Sequence, residues 1–332
     1  MKPLARTALA SPPRMAATLE DDLLRVEARL ATELASREER MRAIASHLVG
    51  AGGKRVRPTV VLLVFHAVAA DGPMLRRDDA IEAAVALELI HSATLLHDDI
   101  IDGGETRRGR PSAFRTFGLA DTLVAGDFLF SRAFALCARF EAEVIRWAAD
   151  ACVALTEGEI MQGRLRRSPT VSVAEYDEII RRKTACLFQA GARIAAKVAG
   201  APHAIIDEIA RCGNAIGMAF QLIDDLLDVI GDSAQTGKPV GIDLRDGNPS
   251  LPIVLALPAS AVLARIWRQP EPSDEEVAVG LAEIRASGAL ELVRDEAIAH
   301  TRAAAEALAS LSDTPYRDFL EGLIGELRDR VF

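Results

Sequence analysis

An all-α fold, a single bundle of about ten or more helices, is what this sequence predicts. Three observations carry that expectation. Half of the 332 residues are hydrophobic, with Ala and Leu abundant. Apolar residues recur at helical spacing almost throughout, while β-branched runs and Asn-Gly hairpin signals are scarce. No Pro/Gly-rich stretch is long enough to act as a linker, so residues 18–332 read as one domain.

The elements follow in order. Residues 1–17 carry Lys2, Arg6, Arg14 and the pair Pro12-Pro13 but no apolar h-region. They are expected to form a frayed tail rather than a secretory signal, or an upstream extension if translation begins at Met15. Residues 19–48 alternate charged and apolar side chains at helical spacing and stop at Gly50-Ala51-Gly52-Gly53. Pro58 then opens an apolar helix to about residue 70. The next helix is expected over 78–102, ending at Gly103-Gly104, with further helices at 120–139 and 141–163. Ser172-Val173-Ala174-Glu175 has capping-box form and should start a helix reaching residue 199. A helix over 203–231 stops at Gly231 and a polar loop covers 232–248. Shorter helices fill 249–268, Ser273-Asp274-Glu275-Glu276 caps another, and two more reach the C-terminus.

Composition narrows the class. A net charge of −9 argues against general nucleic-acid binding. Cys137, Cys152, Cys186 and Cys212 are scattered singly with no Cys-x-x-Cys pair, so buried thiols are expected rather than zinc ligands or disulfides. No uncharged apolar run reaches about 18 residues, so no transmembrane span is expected. The expected class is a cytoplasmic enzyme.

One acidic pattern occurs twice, as Asp98-Asp99-Ile100-Ile101-Asp102 and Asp224-Asp225-Leu226-Leu227-Asp228. On a helix the first and last aspartates of each share a face, with the middle one beside them. A single such pattern is ordinarily a solvated face. Here both copies follow apolar sequence, Ala93-Thr94-Leu95-Leu96 and Gly217-Met218-Ala219-Phe220, where unpartnered carboxylates are seldom tolerated. Clusters of aspartate oxygens suit Mg²⁺, which keeps waters and shares its remaining positions with substrate phosphates. Two of them imply a metal-bridged diphosphate.

Basic residues accompany both clusters. Lys54 and Arg57 adjoin a glycine turn, Arg107-Arg108 follows the first cluster, Lys183-Thr184 lies within a helix, and Gly237-Lys238 follows the second cluster. Guanidinium groups match phosphate oxygens bidentately and lysines neutralise them as point charges. Singly, each reads as a surface charge; their placement around the acidic clusters is what points to phosphate.

These motifs, with Gly52-Gly53-Lys54-Arg55-Val56-Arg57-Pro58, Gly126-Asp127-Phe128, Glu157-Gly158-Glu159, Gln221 and Gly237-Lys238-Pro239, resemble those of the trans-isoprenyl diphosphate synthases, or polyprenyl synthetases, from about residue 20 onward. The resemblance implies helices around a deep central cavity. It also implies condensation of an allylic prenyl diphosphate with isopentenyl diphosphate, head to tail, releasing pyrophosphate. By the same resemblance Asp98, Asp99, Asp102, Asp224, Asp225 and Asp228 hold three Mg²⁺ ions. Arg107, Lys183 and Lys238 take the allylic diphosphate, and Lys54, Arg57, His91 and Arg108 take isopentenyl diphosphate. Thr184 and Gln221, with the Lys183 carbonyl, steady the allylic cation, and departed pyrophosphate removes the final proton. A homodimer is implied as well.

Asn248 departs from the family pattern, which usually has a second lysine there. The family closes its pocket after fifteen carbons with large aromatics at the two positions occupied here by Ala93 and Thr94. The pocket is therefore expected to stay open, with a floor at Ile90 or Leu87, or at Phe128, Phe130 or Phe134. That implies a product of thirty to fifty carbons, with twenty as the alternative. A class I terpene cyclase would share fold and ionisation but lack the isopentenyl site. A regulatory subunit would lose its aspartate clusters. A pyrophosphohydrolase would need a water-positioning base that is not evident.

Overall fold

The computed structural model describes residues 13–50, 53, 55–69, 76–107, 109–231 and 240–329. They form two compact helical units, each drawn from separate stretches of chain. One comprises Met1–Asp150, Phe188–Gly213 and Ala307–Leu323; the other comprises Ala151–Leu187, Asn214–Glu306 and Ile324–Phe332.

In the first unit, α1 (Pro13–Glu33) buries Met15, Leu19, Asp22, Val26, Leu30 and Glu33, a stripe at helical spacing. It starts inside the tail expected over 1–17, because Met15 extends that apolar stripe by one turn. The stretch expected as one helical segment to residue 48 is divided in two. The chain turns after α1, where the Glu38 N–H donates to Ser36 Oγ, and resumes as α2 (Glu39–Gly50). Helix α3 (Val56–Ala69) is apolar all round and buried from Pro58 to Ala67. The long helix α4 (Arg77–Ile101) places many alanines on its buried surface and lies against α1, α3 and α6 (Leu119–Cys137). By length and composition α4 could cross a membrane, but 78% of its most apolar window is buried, which marks a core helix.

Beyond α4 the left-handed Gly103 reverses the chain. A small hairpin follows, β1 (Thr106–Arg107) with β2 (Arg110–Pro111), which the composition did not anticipate. Ser112 then caps the short α5 (Ala113–Phe117) through the Arg115 N–H.

Helices α7 (Ala142–Leu165), α9 (Cys186–Val198) and α10 (His203–Ile230) contribute segments to both units. The second unit adds α8 (Val173–Ile180), begun by the expected Ser172/Glu175 capping box. The helix expected to run uniformly to 199 is interrupted by a π-helical turn, Arg181–Ala185. The polar loop expected over 232–248 contains α11 (Ile242–Asp246); residues 232–239 lie outside the described ones. Then come α12 (Leu251–Ala256), α13 (Ala261–Trp267) and α14 (Asp274–Ala286) with its Ser273/Glu276 capping box, and last α15 (Ala289–Leu308) and α16 (Pro315–Asp329), which are also divided between the units. Cys137, Cys186 and Cys212 are buried free thiols and Cys152 is half-buried.

One polar group is essential to the first unit's core. Asp22, fully buried, accepts from His66 Nε2 at 2.6 Å and from Arg77 Nε at 2.6 Å, and the His66 ring stacks on Tyr316. Removing the carboxylate strands two donors. Asp22→Ala is expected to lower unfolding free energy by about 3–5 kcal/mol, as measured by denaturant titration.

Candidate active site

Asp98, Asp99 and Asp102 lie at the C-terminal end of α4. Successive helical side chains point about 100° apart, so Asp99 cannot share the face of Asp98 and Asp102. Asp98 is half-buried and Asp102 exposed, whereas Asp99 is 1% exposed. The hairpin folds Arg107 back so that its Nε donates to Asp99 Oδ1 at 2.5 Å. Burial raises the Asp99 pKa above the usual carboxylate value, and Arg107 pulls it back. Asp99 Oδ2 is buried without a hydrogen-bond partner among the described residues. The three expected ligands thus divide into two outward carboxylates and one buried carboxylate paired with Arg107. Arg107, expected on the allylic diphosphate, is engaged by that carboxylate.

Gly126 has a structural reason. A Cβ there would sit 2.2 Å from His97 Nε2, so only glycine lets the imidazole dock on α6. Elsewhere in this unit, the Arg57 guanidinium lies 4.8 Å from the Phe188 ring centroid. His91 is half-buried, and its carbonyl accepts from Thr94 Oγ1 at 2.8 Å. Ala93 and Ile90 are fully buried and Thr94 nearly so. Phe134, by contrast, is 37% exposed, because α6 turns Ala125, Leu129, Ala133 and Leu136 inward instead.

The second cluster, on α10, repeats the division. Asp224 is exposed and Asp225 is buried. Asp225 accepts from Tyr176 Oη at 2.7 Å, Gln221 Nε2 at 2.9 Å and the Leu251 N–H at 3.1 Å. Burial pushes its carboxyl up to about 7, against the pull of those donors. Asp228 accepts the N–H groups of Ile242 (3.0 Å) and Asp243 (3.1 Å), fixing the start of α11. Asp243, within the stretch expected to be loop, has its carboxyl pushed well above the ordinary value by desolvation and by repulsion from Asp228, Asp225 and Asp224.

Lys183 and Thr184 sit on the π-helical turn, a local underwinding that re-aims side chains and recurs at functional sites. Lys183 Nζ pairs with Glu159 at 2.5 Å and donates to Gln162 Oε1 at 2.7 Å. Gly158 permits this approach: a Cβ there would meet the Lys183 backbone nitrogen at 2.8 Å. Thr184 Oγ1 donates to Gln221 Oε1 at 2.9 Å, so the chain Thr184–Gln221–Asp225–Tyr176 is continuous. Tyr176, Gln162 and Asp243 were not among the expected site residues. Only Gln162, three residues after Glu159, had a signal in its helical spacing.

Among the described residues no three His, Cys, Asp or Glu side chains form a ready-made cation cage. The donor chemistry nevertheless fits Mg²⁺. Each outward face offers carboxylate oxygens only, and the unpartnered Asp99 Oδ2 is a further acceptor. Mg²⁺ ordinarily completes such sparse sets with water and substrate phosphate. Lys54, Arg108 and Lys238 lie outside the described residues.

The family model described as Polyprenyl synthetase matches residues 38–284. Octaprenyl diphosphate synthase of Escherichia coli is 34% identical over 316 residues, 93% of this chain and 96% of that protein. Geranylgeranyl diphosphate synthase of Methanosarcina mazei is 33% identical over 86% of this chain and 88% of its own length. A crystal structure of a Caulobacter crescentus polyprenyl synthase, complexed with calcium and isoprenyl diphosphate, superposes with a TM-score of 0.87 at 34% identity. That match covers 96% of each chain.

Tyr176→Phe removes a donor that favours ionised Asp225. The expected loss of stability is about 1–3 kcal/mol where the carboxylate is charged, above its raised pKa, and less below it, where the protonated group no longer needs that donor. Thermal melts of both proteins at about pH 8 and about pH 6, without metal, check the difference.

Proposed function

We propose that this chain, which belongs to the polyprenyl synthetase family, is a Mg²⁺-dependent prenyltransferase joining an allylic prenyl diphosphate to isopentenyl diphosphate. The observation that carries this reading is the matched division of the two acidic motifs. In each, a buried second aspartate fastens the local structure while the first, Asp98 or Asp224, faces outward on a rigid helix.

Asp98, Asp102 and Asp224, with Asp228 and the Asp99 Oδ2 acceptor in support, are the residues that would hold up to three Mg²⁺. The bound ions would supply charge neutralisation as the allylic C–O bond ionises. Lys183, held by Glu159 and Gln162, places an ammonium for the same diphosphate, and Lys238 adds another from outside the described residues. The hydrogen-bonded Thr184 and Gln221 present fixed dipoles, with the Lys183 carbonyl, to the developing cation. Arg57, His91, Lys54 and Arg108 take isopentenyl diphosphate. The C4–C1′ bond forms as pyrophosphate leaves, and pyrophosphate accepts the proton whose loss restores a double bond. No protein base is required. The chain acts as a homodimer in the cytoplasm on this reading.

Product length follows from what α4 offers. Ala93 and Thr94 lie one turn, about 6 Å, below Asp98 and are small, while Leu87 lies about 16 Å below it. Each isoprene adds on the order of 5 Å. Small residues at the upper positions support a product of thirty to fifty carbons, with Ile90 and Leu87 as the deeper stops. Twenty carbons is the alternative, favoured if Ile90, fully buried, does not yield.

Asp98→Ala or Asp224→Ala is expected to lower turnover by at least ~10³-fold, through loss of roughly 4 kcal/mol of transition-state stabilisation. Steady-state condensation assays measure this, and full activity in excess EDTA would overturn the metal mechanism. Mass spectrometry of products from five-, ten- and fifteen-carbon starters tests chain length. Wild type should pass fifteen carbons, and Ala93→Tyr should stop near there; a wild-type product of fifteen with every starter would refute the open pocket.

A further inference from the structure

We infer that Arg55 is the positioning residue of the isopentenyl diphosphate site, setting the chain that carries Lys54 and Arg57 against the helix that carries His91; the inference rests on the prenyltransferase reading above. Arg55 takes a left-handed φ of 48°, a conformation that is costly for a residue with a side chain and that glycine adopts freely. Glycines stand at 52 and 53, yet this strained position holds an arginine. The guanidinium contacts show what keeps it there. Nη1 donates to Glu88 Oε1 at 2.9 Å, while Nε and Nη2 donate to the two carboxylate oxygens of Glu27 on α1 at 2.5 and 3.1 Å. The Glu88 side chain on α4 is 5% exposed and that of Arg55 11%, so the fork is largely shielded from water, unlike an ordinary surface ion pair.

Three links run from that fork to the residues assigned to isopentenyl diphosphate. The φ of a residue sets the course of the chain before it, so holding Arg55 fixes the course on which the chain arrives through Gly53 and Lys54. The Arg55 carbonyl accepts both the N–H (3.0 Å) and the Oγ1 (2.8 Å) of the fully buried Thr59, which starts α3 at this point. Arg57 stands in that first turn, and its guanidinium rests on the Phe188 ring of α9. Glu88, finally, precedes His91 by about one turn on the same face of α4. One side chain therefore joins, through α3 and α4, the groups that must converge on one diphosphate. Two carboxylates engage the Arg55 guanidinium, which suits it to hold the turn rather than to bind substrate. Only a planar fork reaches both carboxylates at once, a geometry that lysine does not offer.

The test measures calorimetric affinity for isopentenyl diphosphate alone, without metal, together with melting temperature. KM is measured for isopentenyl diphosphate and for a fifteen-carbon allylic diphosphate in the same variants. Arg55→Gly relieves the backbone and removes the fork. It should weaken isopentenyl affinity and raise the isopentenyl KM about 10- to 100-fold, with the allylic KM unmoved. Arg55→Lys, which can reach one carboxylate but not both, should fall between. Arg55→Gly also takes a cation away from the buried Glu88 carboxylate, so it should melt at a lower temperature. Adding Glu88→Gln removes that charge, and the double variant should regain melting temperature while its isopentenyl affinity stays low. Recovery of affinity together with melting temperature would mark Arg55 as a brace for the fold alone and overturn the assignment. So would an unchanged isopentenyl affinity in Arg55→Gly, or equal rises in both KM values. A wild type that binds isopentenyl diphosphate without condensing it would refute the prenyltransferase reading instead, and the titrations would still decide Arg55.

Discussion

A carboxyl group buried among apolar helices must be fully hydrogen-bonded or protonated, and Asp225 is where that constraint organises the second unit. Its three donors come from α8, from its own helix α10 and from the start of α12. Gln221 can steady Asp225 only with its amide turned one way, which leaves its oxygen to Thr184. Thr184 fixes the π-helical turn, and that turn aims Lys183 at Glu159 and Gln162. Repulsion from Asp243, Asp224 and Asp228 raises the electrostatic cost of this arrangement, which binding of a cation would offset.

The first unit solves the same problem with one arginine. Asp99 is the second aspartate of its motif, as Asp225 is of the other, and both are buried. Adjacent helical residues point about 100° apart, so one can turn inward while its neighbour stays outward, and here packing buries the second of each pair. The paired Asp-Asp is therefore an outward carboxylate joined to a buried one. Arg107 on the hairpin pairs with one oxygen of the inward one, and Oδ2 stays without a partner among the described residues; the small β structure returns that guanidinium to the end of α4.

Glycine serves the site by absence of a side chain rather than by flexibility. Gly126 admits the His97 ring and Gly158 admits the backbone of the π-helical turn, both within helices where glycine otherwise weakens the structure. Each sits inside a short motif beside acidic residues, and close packing explains why the small residue stands there.

By itself the sequence determined the all-α class, the span of α4 and α10 to within a residue or two, both true capping boxes, and the six aspartates with their accompanying cations. Those depend on local periodicity and on residue chemistry, which the chain states directly. It could not divide the aspartates into outward and buried ones, because burial is decided by what packs against each face. Nor could it show the π-helical turn, the hairpin, Tyr176 as a partner of Asp225, or Arg55 at Glu88. Each of these joins residues far apart in the chain, or trades one helical hydrogen-bond register for another. Phe134 marks the same limit: its type suggested a pocket floor, and only the packing of α6 on α4 turned it outward.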